Sequence, residues 1–312
     1  MIKTIGYIYL FCFALSANSQ VSMKEKLESE FHEQVKEFNI KSITEWTFCL
    51  DPSTISDLEY VMNSITYRAN FDSIGNCTYK VWFHDSTSKS QNFYWYDDEA
   101  RLTRSVEGYF DTLNMTHIFE NKYNRSGYLT QINKFRRNDS KDSLIDRIEI
   151  SYNARNQLVN KKMYYSSSDY CYYMDSIVYN NKGNISKIMK FKNATKNNEA
   201  TYHTETEFYY YDKKGNLVSK ISIDERDQSI DNTNEYINDK KGRVIDSKYF
   251  QSEHLIHHFT YTYNDFGALN FTSINQNSFK YVYDENGLKK QVIRYNWKDQ
   301  PSIVTVYDYE FY

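Results

Sequence analysis

Proline and glycine are both scarce in this chain, with 2 and 9 residues out of 312. The scarcity excludes a collagen-like or proline-rich extended chain. Cysteine is equally sparing. There are 4, none spaced as CxxC, so zinc-ribbon and thioredoxin-type pairs are absent. Charge of one sign is not in excess either. The 38 basic and 41 acidic residues give a net charge of −3, which is no electrostatic footprint for nucleic acid or an anionic membrane surface. Beyond the first residues no apolar run is long enough to cross a membrane as a helix. The nucleophile-elbow pattern GxSxG, the P-loop and GxGxxG are all missing.

What is present begins with a leader. Lys3 precedes an uncharged apolar run from Ile5 to Leu15, and Ala17-Asn18-Ser19 fits a small-x-small cleavage site. Residues 1–19 read as a signal peptide, so the protein is expected to be exported: periplasmic, cell-surface or extracellular. Cys12 follows Tyr9-Leu10-Phe11, which lacks the small residues of a lipobox. Cleavage removes Lys3, leaving 37 basic against 41 acidic residues and a net charge of −4. It also removes Cys12, leaving Cys49, Cys77 and Cys171. Three cysteines allow one bridge at most. Cys49–Cys77 is the nearest pair in sequence; the alternative is three buried thiols.

Tyrosine is the conspicuous excess, with 31 residues, and it repeats. Six segments carry Tyr, then Asp or Asn, then Gly or Asn four after the Tyr. Their turn positions are Gly127, Asn156, Gly183, Gly215, Gly267 and Gly287. Three degenerate copies end at Gly75, Ala100 and Gly242. Successive turn positions are 25, 27, 29, 27, 32, 27, 25 and 20 residues apart, as for a structural unit with variable loops. Asp or Asn at the first turn position and Gly at the fourth suit a type I turn closed by a left-handed residue. Ala100 tolerates that conformation poorly, so its copy is expected to turn differently. The Tyr should face the residue two after the turn: Leu129, Leu158, Ile185, Leu217 and Leu269, with Leu102 and Val244 in degenerate copies. By even spacing, Phe135, Tyr164, Phe191, Ile223 and Phe250 should share that face. The last copy departs, with Leu288 one place early and Lys289 at the expected position.

These units predict a mainly β fold, an antiparallel meander of about nine tandem hairpins over residues 67–312. Residues 20–66 predict a short helical cap. Ser22 and Glu25 form a capping box before Leu27, Phe31, Val35 and Phe38 at helical spacing. Ser56 and Glu59 form a second box before Val61, Met62 and Ile65. The motif Tyr-x-Tyr-Asp-x-x-Gly-x-Leu, clearest at Tyr209–Leu217 and Tyr281–Gly287, resembles the RHS/YD-repeat family of bacterial surface and secreted proteins. The resemblance covers about residues 71–291. It implies a secreted or envelope repeat protein whose hairpins wrap into a spiral or shell. The chain looks short for a closed shell, and its only prolines are Pro52 and Pro301, so the processed Pro- and Gly-rich motif of toxin carriers is missing.

Chemistry is thinly represented. His32-Glu33 is followed by Lys36 where a zinc helix needs His. On a strand, His254 and His258 would share a face and His257 would point away. Asp224, Glu225, Asp227 and Asp231 lack calcium-loop spacing. No enzyme, cofactor or metal is read. Three aromatics, Trp95, Tyr210 and Trp297, are not explained by the repeat and are the candidate ligand-binding residues. The expected role is a non-enzymatic binding or scaffold module, its partner an extracellular glycan or a surface protein. The alternatives are a structural component of a surface assembly and an outer-membrane barrel. Against the barrel, Lys187, Asp246 and Lys248 read as lying mid-strand on the face of Leu217 and Ile185, and Asp308 and Glu310 share a face of the last strand. Mass spectrometry of the exported protein should find Gln20 or a neighbour as the first residue; an intact Met1 on protein from the cell envelope would refute cleavage.

Overall fold

A computed structural model of the chain describes residues 34–49, 61–83, 89–109, 116–138, 141–166, 171–192, 202–265, 267–275 and 277–312. Among these residues twenty strands follow one another. The first five are β1 (Ile40–Cys49), β2 (Val61–Phe71), β3 (Cys77–Phe83), β4 (Lys89–Tyr96) and β5 (Leu102–Tyr109). Next come β6 (Thr116–Tyr123), β7 (Leu129–Asn138), β8 (Lys141–Tyr152), β9 (Leu158–Tyr165) and β10 (Cys171–Tyr179). Then come β11 (Ile185–Lys192), β12 (Tyr202–Tyr211), β13 (Leu217–Asp224), β14 (Ser229–Asn238) and β15 (Val244–Gln251). The last are β16 (His254–Tyr263), β17 (Leu269–Ile274), β18 (Asn277–Tyr283), β19 (Lys289–Tyr295) and β20 (Pro301–Phe311).

Each strand pairs antiparallel with the next, and β20 pairs with β1 from Ile40–Phe311 to Cys49–Ile303. The sheet therefore closes on itself. This corrects the expected open meander, which would leave two edges exposed. Strand β1 carries no turn motif. It supplies the pairing that closes the ring. A circular cross-section of twenty tilted strands would be about 40 Å across.

The tight turns follow one plan. In the first, the Asp72 N–H donates to Asn76 O and the Gly75 N–H to Asp72 O, at 2.9 and 3.0 Å. The Asp72 carboxylate accepts from the N–H groups of Ile74 and Asn76 at 3.1 and 2.8 Å. The Asx residue thus holds its own turn through main chain and side chain together, which is why only Asp or Asn serves. Ala100 belongs to this plan. Its φ is +59° and its N–H bonds Asp97 O at 2.9 Å, so the expected departure does not occur; the Asx cage outweighs the left-handed penalty. A tenth turn of the same kind, Asn296–Gln300, was not anticipated because Asp299 stands where Gly was sought.

Beyond each turn lies a bulge. Tyr123 pairs Leu129 and Lys122 pairs Gln131, leaving Thr130 as the extra residue, its hydroxyl donating to Lys122 O at 3.2 Å. The same shift follows Tyr96, Tyr152, Tyr179, Tyr211 and Tyr263. A bulge reverses the parity of everything after it. The residues two after the turn do pair with Tyr. Phe135, Tyr164, Phe191, Ile223 and Phe250 lie on the opposite face, as do Lys187, Asp246 and Lys248 relative to Leu217 and Ile185. The exposed mid-strand apolar groups Phe93, Trp95, Val178, Tyr210 and Ile237 belong to that second face. Glu207, Ser222, Asn92 and Thr272 are buried on the Tyr face. Inward side chains converge on a closed wall, so the Tyr face lines the lumen.

Neighbouring hairpins part before the turns, and the repeat tyrosine bridges the gap. Between β7 and β8 the ladder ends at Gln131–Glu149, and the Tyr152 hydroxyl donates to Leu129 O at 2.9 Å. The same link runs from Tyr96 to Cys77 O, Tyr123 to Leu102 O, Tyr179 to Leu158 O and Tyr211 to Ile185 O, all at 2.7–2.8 Å. It recurs from Tyr263 to Val244 O, Tyr283 to Leu269 O and Tyr309 to Lys289 O. In the copy lacking Tyr, Asn238 Nδ2 donates to Leu217 O at 2.9 Å.

At the seam, residues 34–37 form one helical turn. Val35 packs with Ile40, Ile43, Ala69, Phe71 and Leu288. That contact explains the displaced Leu288 of the last repeat. Gln34 Nε2 donates to Gly287 O at 3.2 Å, and the Tyr312 N–H to Asn39 O at 3.0 Å. The expected helix over 23–38 otherwise lies outside the described residues. The second expected helix is corrected: 61–65 belong to β2, a segment that pairs with β1 at one side and β3 at the other. Among the described residues the strands accordingly begin at Ile40, before residue 67. The Cys49–Cys77 bridge is also corrected. Cys77 is a free thiol beside Phe71, whereas Cys49 pairs in the backbone with Val61, at the far end of β2. Ten residues of strand separate those ends by roughly 30 Å, far beyond disulfide reach. Cys171 is buried and free.

Two substitutions test this plan by chemical denaturation. Tyr152→Phe should cost about 1 kcal/mol by orphaning the Leu129 carbonyl. Ala100→Gly should stabilise by about 0.5–1 kcal/mol by relieving a left-handed Ala. Loss of stability in Ala100→Gly, or no change in Tyr152→Phe, would contradict it.

Candidate functional site

A closed wall with a lined interior places the candidate site in the lumen and at its two rims. At the tight-turn end the inner wall is aliphatic and aromatic. Ile148, Ile150, Leu158 and Ile177 pack there with Tyr152, Tyr179, Leu129 and Ile185. Deeper in, it becomes charged. Lys190 Nζ lies 3.0 Å from Glu205 and 2.8 Å from Glu207, and Lys220 Nζ lies 2.8 Å from Glu207. The Tyr209 hydroxyl donates to Glu207 at 2.6 Å, and Ser222 Oγ to Glu205 at 2.5 Å. Two acids shared among two lysines, a tyrosine and a serine leave no bare charge, so this cluster reads as a satisfied network. Strand register sets it up: Lys190 faces Glu205, Ile188 faces Glu207, and Tyr209 faces Lys220.

The outer wall has two zones. Eight after the turn positions sits an apolar row of Phe135, Tyr164, Phe191, Ile223 and Phe250, nearer the rim with the longer connections. Nearer the tight turns is a polar belt that includes Arg104, Glu120, Glu149, Lys187 and Asp246. Some of these pair. Arg147 Nε is 3.1 Å from Glu149, and His258 Nε2 is 2.6 Å from Asp246.

The three candidate ligand aromatics are exposed but not gathered. Trp95 (45% exposed) and Tyr210 (48%) both lie outside near the tight turns, on β4 and β12, eight strands apart. Trp95 has Arg104 over its ring at 5.5 Å. Trp297 (67%) is on the tenth turn, at the opposite rim. The histidine expectation changes because Ile256 is the extra residue of a bulge. His254 faces Gln251 and His257 faces Tyr249, both inward, while His258 points out. Among the described residues no group of three His, Cys, Asp or Glu could hold a metal. The acidic loop is engaged with itself: Asp224 bonds Arg226, Asp227 accepts the Ser229 N–H at 3.0 Å, and Gln228 Nε2 donates to Glu225 at 2.7 Å.

One constellation was missed in the sequence. Thr206 Oγ1 lies 2.9 Å from His203 Nε2 and hydrogen-bonds Glu225. Thr, His and Glu invite comparison with a nucleophilic triad. Here the Glu holds the hydroxyl rather than the far side of the ring, and Thr206 is fully buried, so no substrate carbonyl can reach it. It is a strut between β12 and the loop after β13.

The turn aspartates carry the rim's electrostatics. The Arg101 guanidinium and N–H hold the Asp97 carboxyl below its usual range, the Asn216 amide does so for Asp212, and backbone N–H bonding from Arg243 does so for Asp239.

No family model and no curated protein matches the sequence. Solved structures similar in outline include a porin-like protein from Bacteroides uniformis, at 9% identity and TM-score 0.39, covering 88% of this chain and 97% of that one. The Photorhabdus luminescens Tc holotoxin pore matches at 10% identity and TM-score 0.30, covering 81% of this chain and 20% of that one. A TcdB2–TccC3 complex without its hypervariable C-terminal region matches at 12% identity and TM-score 0.36, covering 78% and 17%. Likenesses this loose assign neither family nor function.

Carboxyls held low contribute stability that is complete above the ordinary aspartate value near 3.9 and is lost as pH falls through the lower folded values. Asn occupies the same turn position at Asn124, Asn153 and Asn180 without titrating. The Asp97→Asn/Asp212→Asn/Asp239→Asn variant should therefore lose less of its urea midpoint between pH 6 and pH 2.5 than the parent. An equal acid-induced fall would assign acid sensitivity elsewhere.

Proposed function

We propose that this chain is a hollow β-barrel of the cell envelope, set in an outer membrane, whose polar lumen passes or holds small polar solutes without catalysis. The observation that carries the reading is closure. With β1 paired to β20, no strand presents an open edge, the condition a sheet must meet to sit in lipid. Three further features accord with it. The strand number among the described residues is even; the nine Asx turns of the repeat all lie at one rim, beside the described first and last residues; and the two longest connections, 50–60 and 193–201, lie at the other, alongside links as short as Ser252–Glu253. The lumen wall carries the charged and hydroxyl groups of an aqueous interior.

One observation favours a second reading, a hollow shell surrounded by water. The outward belt places Arg104, Arg147, Lys162, Lys187, Lys248 and Lys280 within the strands. Each Lys or Arg at a bilayer midplane costs about 2–4 kcal/mol, falling to about 0–1 near the interfaces. The two readings part on extraction. A membrane barrel stays in the envelope pellet through carbonate washing, needs detergent for release, and gives discrete conductance steps in planar bilayers. Quantitative release by carbonate as a water-soluble protein, with no conductance, would overturn the membrane placement and favour the shell.

A further inference from the structure

The lumen wall is not uniform around the ring. From β11 to β13 it carries the Lys190, Glu205, Glu207 and Lys220 network. On β19 it carries Lys289 and Arg294. Between them, on β14 to β18, every inward position of the strand register is free of Asp, Glu, Lys and Arg. The same five strands hold charge on their outer side, at Glu235, Asp246, Lys248 and Lys280. They are therefore not short of charged residues; charge is absent from one face of them. That face covers a quarter of the ring, about 24 Å of wall.

What occupies this arc is aromatic rings beside amides and hydroxyls. Along β16, Phe259 and Tyr261 stack 6.3 Å apart with planes only 5° from parallel. His257 continues the line, 5.9 Å from Phe259, and stacks on Tyr249 at 6.0 Å. The rings are oriented by neighbours. The Tyr249 hydroxyl donates to Asn232 Oδ1 at 2.5 Å, and the Tyr261 hydroxyl lies 3.4 Å from Ser247 Oγ. Register sets Tyr236 beside Ser247, Asn234 beside Tyr249, and Thr272 between Tyr261 and Phe279.

We propose that this arc binds an uncharged oligosaccharide along the lumen wall. Aromatic faces set in line accept the apolar faces of successive sugar rings, while flanking amides and hydroxyls meet their hydroxyl edges. Charge reaches the arc only at its borders, where Arg294 lies over the Phe279 ring at 6.0 Å, Lys289 lies over the Tyr281 ring at 5.8 Å and the Asp231 carboxylate accepts from Asn232 Nδ2 at 2.6 Å. The central rings on β15 and β16 have uncharged inward register partners, so an anionic or cationic ligand would be drawn to the flanking charged arcs. The proposal concerns the lumen of the hollow barrel and requires no membrane, so failure of the membrane placement leaves it standing. It differs from the external aromatics Trp95 and Tyr210, which lie on the other face.

The test is calorimetric titration of the purified full chain with maltohexaose and cellohexaose, backed by a panel of neutral glycans, and with hexagalacturonate and choline as charged probes. Saturable binding of a neutral oligosaccharide is expected, with no heat from the charged probes. Phe259→Ala and Tyr261→Ala should weaken it at least five-fold with melting unchanged, and Tyr210→Ala should leave it intact. Phe259→Leu keeps apolar volume without a ring and should weaken binding as Ala does, covering the case in which Ala unfolds the wall. Absence of binding across the neutral panel, preference for a charged probe, or loss on Tyr210→Ala with the inner variants unaffected would each overturn the proposal.

Discussion

Wherever two neighbouring hairpins diverge toward their turns, the sheet leaves a backbone carbonyl without a ladder partner, and a tyrosine hydroxyl takes it. That contact decides much else. A carbonyl deprived of water or a donor costs about 1–3 kcal/mol, so each hairpin depends on the one before it. The donor must come from a long, stiff side chain at the last inward position before the turn. Tyrosine meets that demand with few rotatable bonds, and its ring packs on the Leu or Ile opposite, as Tyr152 does on Leu158. The ring of twenty strands is a chain of such dependences, continued by Tyr309 to Lys289 O between β20 and β19 and made circular past the seam by Tyr312 to Phe71 O.

The bulge after each turn is the second determinant. It lets Tyr and its partner face inward while the next strand residues resume the opposite parity. The wall gains an inner surface of tyrosines, amides and ion pairs and an outer one with an apolar row and a charged belt. Both surfaces are assigned by single inserted residues such as Thr130, whose hydroxyl anchors the bulge to Lys122 O. The division of charge on β14–β18, outside at Glu235 and Lys248 and absent inside, depends on this switch.

How much of this was legible follows from where each signal resides. The turns were legible because Asp, Asn and Gly carry local chemistry: Asp212 and Gly215 specify their geometry without reference to the rest of the chain. The Tyr–Leu pairing was legible for the same reason. The faces of Phe135 and Lys187 were not, because a bulge has no firm residue signature; Thr130 occupies it in one copy and Val159 in another. Closure was illegible because it depends on β1, a strand without the motif, meeting β20 some 250 residues away. The hydroxyl link escaped notice because its acceptor is main chain, which any residue provides. The charge-free arc needed the corrected parity before it could be seen at all.

The central claim is that the hairpins form a closed ring, and the β1–β20 seam tests it most directly. Thr47 and Thr305 are register partners with hydroxyls 3.4 Å apart, and cross-strand partners fall within disulfide reach. In the Thr47→Cys/Thr305→Cys variant, mild oxidation and peptide mass mapping should find the 47–305 bridge in the folded monomer. Thr260→Cys/Ser273→Cys, inside one hairpin, serves as the positive control. A bridged control with both seam thiols free would mean that the sheet is open and that the closed barrel is wrong.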